Sequence, residues 1–273
     1  MYLAINYSPA AAGLIKSGQI DVDYFKTPDW DWIVNEARQL KPVAVHFTLE
    51  AGNDSLGEVD WEKIDRMAEE TGTPYINLHL DSRQSYYPGF AIDTKKESEV
   101  QLVKKLIISD VLRAVKHFGA ERVILENSPY QARQGNTMRL CVEPNIINQV
   151  IEETGCGFLL DISHAIITSR YFHLPPDEYI SQLPVINLKE LHFAGIHRNT
   201  ATGEWMDHLS IQQEDWIWLD WVVNRIHNGD WSNPRLLAFE YGGVGEPFEW
   251  RSDPAIIAQQ VPELRDHINL LQN

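Results

Sequence analysis

Short apolar runs that break abruptly into polar side chains recur along this chain, at intervals wide enough to hold a helix. They read LAIN (3–6), VDYF (22–25), VAVHF (43–47), YINLHL (75–80), RVILEN (122–127), GFLLD (157–161), ELHFA (190–194) and LLAFEY (236–241). A strand sends alternate side chains to one face, so an apolar run that ends in a polar residue lifts that residue out at the strand's rim. Between the runs, helical spacing of apolar positions predicts helices over 30–40 after a cap candidate at Asp29, and over 61–71 after Asp60. Further helices are predicted over 97–118, closed by Gly119, over 144–154 with proline early and Gly155 beyond, and over 176–183, 214–227 and 254–271. Alternating β and α with right-handed crossovers gives a parallel sheet, and eight repeats favour a closed barrel over an open one. The expected architecture is α/β, a single (β/α)8 TIM barrel over residues 1–273 with its site at the C-terminal rim of the strands. The loops 50–59, 81–93, 128–138 and 198–214 follow strands and lie on that side.

Length leaves room for this reading, since 273 residues suit one large barrel, and 44% hydrophobic residues suffice for its core. The charge of −16 argues against a nucleic-acid partner, because phosphates would be repelled overall. Cys141 and Cys156 form no CxxC and no disulfide framework, which suits a reducing compartment. With no leader pattern at the N-terminus and no apolar run of membrane length, the expectation is a cytoplasmic protein without a membrane association. The stripe Trp216, Trp218, Trp221 reads as helix packing rather than a cofactor box.

The residues at the ends of the runs change the picture most. His46, His79, Glu126, Asp161 with His164, His192, Asp207 with His208, and Glu240 make five imidazoles and four carboxylates without a thiolate. Such nitrogen and oxygen donors suit zinc, manganese or ferrous iron. Four converging carboxylates would carry about −4, which one divalent ion leaves unbalanced and two or three bring near neutrality. Each residue has a plainer reading. A lone histidine such as His46 or His79 is more often a core residue, and Glu126 or Glu240 could pair with an arginine. Five successive strand exits ending this way favour a ligand set. His117 and His227 suit helix C-termini, and His267 reads as a solvated helix residue. His173 and His197 are closer to the rim. Arg198, six residues past His192, could grip a carboxylate or phosphate, and Asp81 with Arg83 could add a second pair. Arg198, Asn127, His197 and Asp81 are the expected substrate contacts. No P-loop, GxGxxG or GxSxG is present, so no nucleotide cofactor is expected.

The ligand order resembles the xylose-isomerase-like TIM-barrel superfamily, which includes endonuclease IV and sugar epimerases. Within it, LENSPY (125–130), TGCGFLLD (154–161), HFAGIH (192–197) and MDHL (206–209) resemble the multinuclear non-haem iron-dependent oxidative enzymes, relatives of the methanobactin-biosynthesis oxidase. The detailed resemblance covers roughly residues 122–245. It implies that Glu126, Asp161, His192, Asp207 and Glu240 are metal ligands, with His46, His79 and His164 completing a site of two or three metals, iron first and zinc or manganese as alternatives. Two features depart from that family. Asp161-x-x-His164 is the pattern of endonuclease IV and sugar epimerases, and Asp207 and His208 are adjacent where the family separates them by one residue.

The reading of function that follows is an iron-dependent oxidative enzyme acting on a small molecule or short peptide. The alternative is a sugar or sugar-phosphate isomerase or epimerase with Glu126 and Glu240 as its catalytic acid–base pair. An endonuclease-IV-like phosphodiester hydrolase fits the acidity poorly. A metal-storing or partner-binding barrel is the non-enzymatic option.

Overall fold

The structure, a computed structural model, describes residues 1–245, 248 and 250–269. In chain order it opens with β1 (Tyr2–Asn6), α1 (Pro9–Lys16), β2 (Tyr24–Pro28), α2 (Asp31–Ala37), β3 (Val43–His46) and β4 (Leu49–Ala51). Next come α3 (Trp61–Thr71), β5 (Ile76–Leu80), α4 (Glu97–Phe118), β6 (Val123–Asn127), α5 (Pro144–Thr154), β7 (Gly157–Asp161), α6 (Ile162–Phe172) and α7 (Pro176–Ile180). The last third holds β8 (Leu188–Phe193), β9 (Gly195–Arg198), β10 (Trp205–Leu209), α8 (Gln213–His227), β11 (Leu236–Phe239) and α9 (Pro254–Asn269). The described residues of 1–46, 62–74 and 189–273 form one compact unit, and those of 47–61 and 75–188 a second.

In the first unit the parallel strands run in the order β3-β2-β1-β11-β8, and β9 and β10 form a separate antiparallel hairpin. Register pairs Ala4 with Ala238, Lys26 with Ala44, Leu236 with Glu190 and Ala238 with His192. One face of the sheet therefore carries an apolar patch of Ala4, Ala44, Leu236 and Ala238, packed by Tyr24. The same face carries Lys26, Glu190 and His192 further along the strands. In the second unit β4-β5-β6-β7 are parallel, and register sets Glu50 opposite His79, His79 opposite Glu126 and Glu126 opposite Leu159.

Strong periodicity and caps fix the helices that the pattern predicts. α4 buries Val103, Ile107, Asp110, Val111 and Ala114 along one stripe, with Glu97 and Glu99 in its first turn and Lys116 and His117 in its last. The buried Asp110 carboxylate accepts N–H groups from Gly52 (2.8 Å) and Asp54 (3.3 Å), which ties the loop after β4 to this helix. α5 starts with Pro144 and stops at a left-handed Gly155, as expected.

The differences have physical causes. β2 begins at Tyr24 rather than Val22, because the Asp23 side chain accepts the Leu3 N–H at 2.7 Å and holds the preceding residues as a loop. α2 is capped at Trp30, not Asp29, without a side-chain bond. Two helices were not predicted. α1 is short and alanine-rich, held by Ser8, whose Oγ accepts the Ala11 N–H at 3.1 Å. α6 is buried from Ile162 to Ser169, so it lacks the one-sided stripe that reveals a helix. The segment 198–214, read as a loop, contains β10 of the hairpin. Gly195 makes the hairpin possible, since a Cβ there would come within 1.8 Å of the Ser210 carbonyl oxygen. α9 ends at Asn269, and the expected end at Leu271 lies outside the described residues.

Trp216 stacks on His267 at 4.8 Å and Trp221 packs edge-on against Trp231 at 5.1 Å, so both tryptophans serve packing. His267 is therefore not a solvated helix residue. Its ring lies on Trp216 and its Nδ1 meets Asp220 at 2.6 Å. Among the described residues, no helix is long and apolar enough to cross a membrane.

Cys141 and Cys156 are free and buried. Burial pushes the Cys141 thiol up to about 12 and the Cys156 thiol up to about 11. At pH 8 both are expected to react with a thiol reagent roughly a thousandfold more slowly than an exposed cysteine, because the thiolate is the nucleophile. Both should react at once in denaturant. Rapid labelling of the native chain at pH 8 would contradict this burial.

Candidate metal centre

In the second unit, three strand ends and one helix start bring donors to the same face. His79 and Glu126 sit side by side in register on β5 and β6, and Asp161 lies two residues past Leu159 on β7. His79 Nε2 is 3.3 Å from Glu126 Oε2, and His164 Nε2 is 3.6 Å from Asp161 Oδ2. Glu126, Asp161 and His164 each offer a ligand atom within 4.8 Å of the others. Asp161 does double duty, ending β7 and capping α6 by accepting the His164 N–H at 2.7 Å. The Asp-x-x-His spacing is thus a helix cap that also turns both side chains toward a common point.

In the first unit, His192 stands on β8 beside Ala238 of β11. Glu240 follows on the same face, its N–H donated to the Phe193 carbonyl at 3.0 Å. His192 Nδ1 is 3.0 Å from Glu240 Oε1, and the His46 ring lies 5.2 Å from the His192 ring. The hairpin brings the rest: His208 Nδ1 is 3.6 Å from Glu240 Oε2, and His208 Nε2 is 3.7 Å from Asp207 Oδ1. These two residues occupy an irregularity in the β9–β10 register, where His208 adopts a left-handed φ of 57°. That conformation costs a non-glycine residue about 1–3 kcal/mol, and it is the kind of strain found at functional sites. Gln260 anchors the hairpin's exit by bonding both the N–H and the carbonyl of Ile211, at 3.0 and 2.8 Å.

Each well-placed ring has one nitrogen already committed. His79 Nδ1 faces the Leu49 carbonyl (3.3 Å), His164 Nδ1 the Asn127 carbonyl (2.8 Å) and His208 Nδ1 the Glu240 carbonyl (3.1 Å). A carbonyl only accepts, so those nitrogens carry the hydrogen and Nε2 of each neutral ring keeps its lone pair. His192 is the inverse: Nε2 donates to Glu190 at 2.9 Å, leaving Nδ1 toward Glu240. One nitrogen fixed by a carbonyl or carboxylate and the other turned to a carboxylate is how metal-binding histidines are oriented. The donor set therefore fits a divalent cation.

Electrostatics agree. Burial alone would raise Glu240, but His192, His208 and His46 outweigh it and hold the carboxyl well below its usual range. Glu190 is likewise raised by burial and then brought down to about 2 by Lys26 and by its bond to His192. Lys26 and Glu190 form an ion pair with only 3% of either side chain exposed.

Comparison with known proteins places these motifs. Residues 97–230 match the family described as RiPP precursor modification enzyme MbnB/TglH/ChrH. A UPF0276 protein of Acaryochloris marina is 24% identical over 226 residues, 81% of this chain and 74% of that one. A UPF0276 protein of Psychromonas ingrahamii is 26% identical over 175 residues, 61% of this chain and 60% of that one. Another, from Alcanivorax borkumensis, is 30% identical over 136 residues, 49% of this chain and 44% of that one. These alignments span between about two fifths and three quarters of the relatives' own lengths. Among solved structures, D-psicose 3-epimerase of Clostridium cellulolyticum superposes with a TM-score of 0.58 at 11% identity, covering 99% of both chains. D-allulose 3-epimerase of Methylomonas sp. gives 0.58 at 14%, covering 97% of this chain and 96% of that one. The chain has the xylose-isomerase-like TIM-barrel fold. Its resemblance to the MbnB/TglH/ChrH enzymes, read from the motifs, holds over 97–230. That stretch contains Glu126, Asp161, His164, His192, Asp207 and His208, whereas His46, His79 and Glu240 lie outside it.

The four expected substrate contacts each have hydrogen-bond partners within the chain. Asn127 accepts the Asp161 N–H and donates to the Asp161 carbonyl, both at 2.9 Å, so its amide extends the strand ladder and fixes Asp161. Asp81 accepts from Arg83 (2.8 Å) and Thr137 (2.5 Å), and Arg83 also donates to Glu50 (2.8 Å). The Asp81–Arg83 pair thus forms, as a brace for the loops after β4 and β5. Arg198 is exposed and bonds the Gly203 carbonyl across its own turn at 3.0 Å. His197 donates from Nε2 to the Ser210 carbonyl at 2.8 Å. His173 is an exposed left-handed cap of α6.

Sequence reasoning missed Lys26, Glu190 and Arg251. Arg251 is lowered by burial and raised again by Asp207 and Glu240, so it belongs to the electrostatics of the first unit's cluster. Glu190 was visible as the residue two before His192 on the same strand face, but Lys26 lay beyond the end expected for β2.

Proposed function

We propose that this chain is a metal-dependent oxidative enzyme acting on a short peptide or small molecule, with dioxygen as oxidant. In this reading each unit holds at least one divalent ion. The observation that carries it is the orientation of the rings: in both units, histidines have one nitrogen tied off and the other directed at a carboxylate. Each unit brings two carboxylates to its cluster, Glu126 with Asp161 and Asp207 with Glu240, so one divalent charge per unit balances the donors. His79, Glu126, Asp161 and His164 would hold one ion; His46, His192, Asp207, His208 and Glu240 would hold another. Iron bound there supplies the one-electron chemistry that side chains lack. The chain's own residues fix the rings, keep the Glu240 carboxylate ionised and exclude bulk water from the buried donors. The family match favours a peptide as substrate, since that family is described by its action on peptide precursors.

A second reading, sugar epimerisation with Glu126 and Glu240 as the acid–base pair, is favoured by the solved structures of like fold. Metal analysis of anaerobically purified chain, followed by oxygen uptake with candidate peptides, separates the two. More than one iron per chain and substrate-dependent oxygen consumption are expected. Full activity with magnesium or zinc alone, or exchange of a sugar C–H proton with heavy water and no oxygen uptake, would replace this reading with the second.

A further inference from the structure

The buried pair Lys26–Glu190 has no obvious reason to exist as a stabilising element. The two residues are 164 positions apart, and taking both charges out of water costs about as much as their attraction returns. The neighbouring positions on the same sheet face are Ala4, Ala44, Leu236 and Ala238, so an apolar filling was available. What distinguishes Glu190 is its second bond. The same oxygen, Oε1, that receives the Lys26 ammonium also accepts the Nε2 hydrogen of His192 at 2.9 Å. His192 is fully buried, and its other nitrogen, Nδ1, stands 3.0 Å from Glu240.

We infer that Lys26 and Glu190 are positioning residues that hold His192 in the orientation and tautomer that present Nδ1, not Nε2, to a cation beside Glu240. Glu190 fixes the ring by taking the Nε2 hydrogen. Lys26 holds Glu190 in place and compensates its charge, so that a carboxylate can be kept this deep in the fold. Neither residue touches the cation. The inference rests on the metal-binding reading above and adds to it which residues set the donor atom of one ligand.

The test uses the full chain and Co2+ alone as probe, with affinity and stoichiometry from titration and the ligand-field spectrum as a second readout. Wild type is expected to bind an ion in each unit. The variant Lys26→Met with Glu190→Leu fills the same space with apolar atoms and should fold, with a melting temperature at or above that of wild type. Its first-unit ion should bind about 10- to 100-fold more weakly, the range for losing the partner of a ligating histidine. Binding in the second unit should be unchanged. The variant Lys26→Met with Glu190→Gln keeps an oxygen that can accept the Nε2 hydrogen, so it should recover most of the lost affinity and the wild-type spectrum. A pair with a purely structural role would move the melting temperature and leave Co2+ binding alone. Equal affinity and spectrum in wild type and the Met/Leu variant overturn the assignment while leaving the metal reading intact. A wild type that binds no Co2+ overturns both.

Discussion

Glu126→Gln is expected to abolish most turnover while leaving the fold in place. Glu126 is 1% exposed and lies between two rings, His79 Nε2 at 3.3 Å and His164 Nδ1 at 3.9 Å. Glutamine is nearly isosteric, so β6 and its register should survive, but the side chain no longer carries a charge to balance a cation or an oxygen basic enough to take up a proton. A loss of roughly 10²- to 10⁴-fold is the range for removing a positioned acid–base group, and loss of a bound ion would add to it. Circular dichroism should be unchanged and the metal content should fall. Retention of both metal and activity in Glu126→Gln would remove the second unit's cluster from the mechanism.

Lys26→Met alone is expected to be among the most destabilising single substitutions in the first unit. It leaves the Glu190 carboxylate buried without its ammonium, and breaking a buried pair from one side costs about 3–5 kcal/mol. For a chain of this size that corresponds to a melting temperature lower by roughly 6–20 °C. Replacing both partners by apolar residues should restore the whole of the loss, because the burial penalty disappears with the charge. If Lys26→Met and the double replacement melt together, the pair is not coupled as the geometry indicates.

The helices show how local signals suffice when burial is one-sided. α3, α4 and α5 are each legible from an apolar stripe bounded by capping or breaking residues. α6 is not, because packing on all sides erases the contrast that periodicity needs. The internal partners of Asn127 and Arg198 were beyond the sequence for a related reason. A polar side chain near a strand end can bond many backbone groups, and which one it meets depends on segments distant in sequence. Asn127 found the backbone of Asp161, and Arg198 the carbonyl of Gly203.

By itself, the order of apolar runs and polar exits determined the βα alternation, the strand faces and the nine candidate donors, because these follow from a period of two and from which residues carry lone pairs. Tertiary structure decided which donors lie together, which nitrogen of each ring is tied off, and that Lys26 reaches Glu190 across 164 residues. Those outcomes depend on strand register and on hydrogen-bond partners brought from distant segments, and no local pattern encodes a partner that arrives only when the sheet forms.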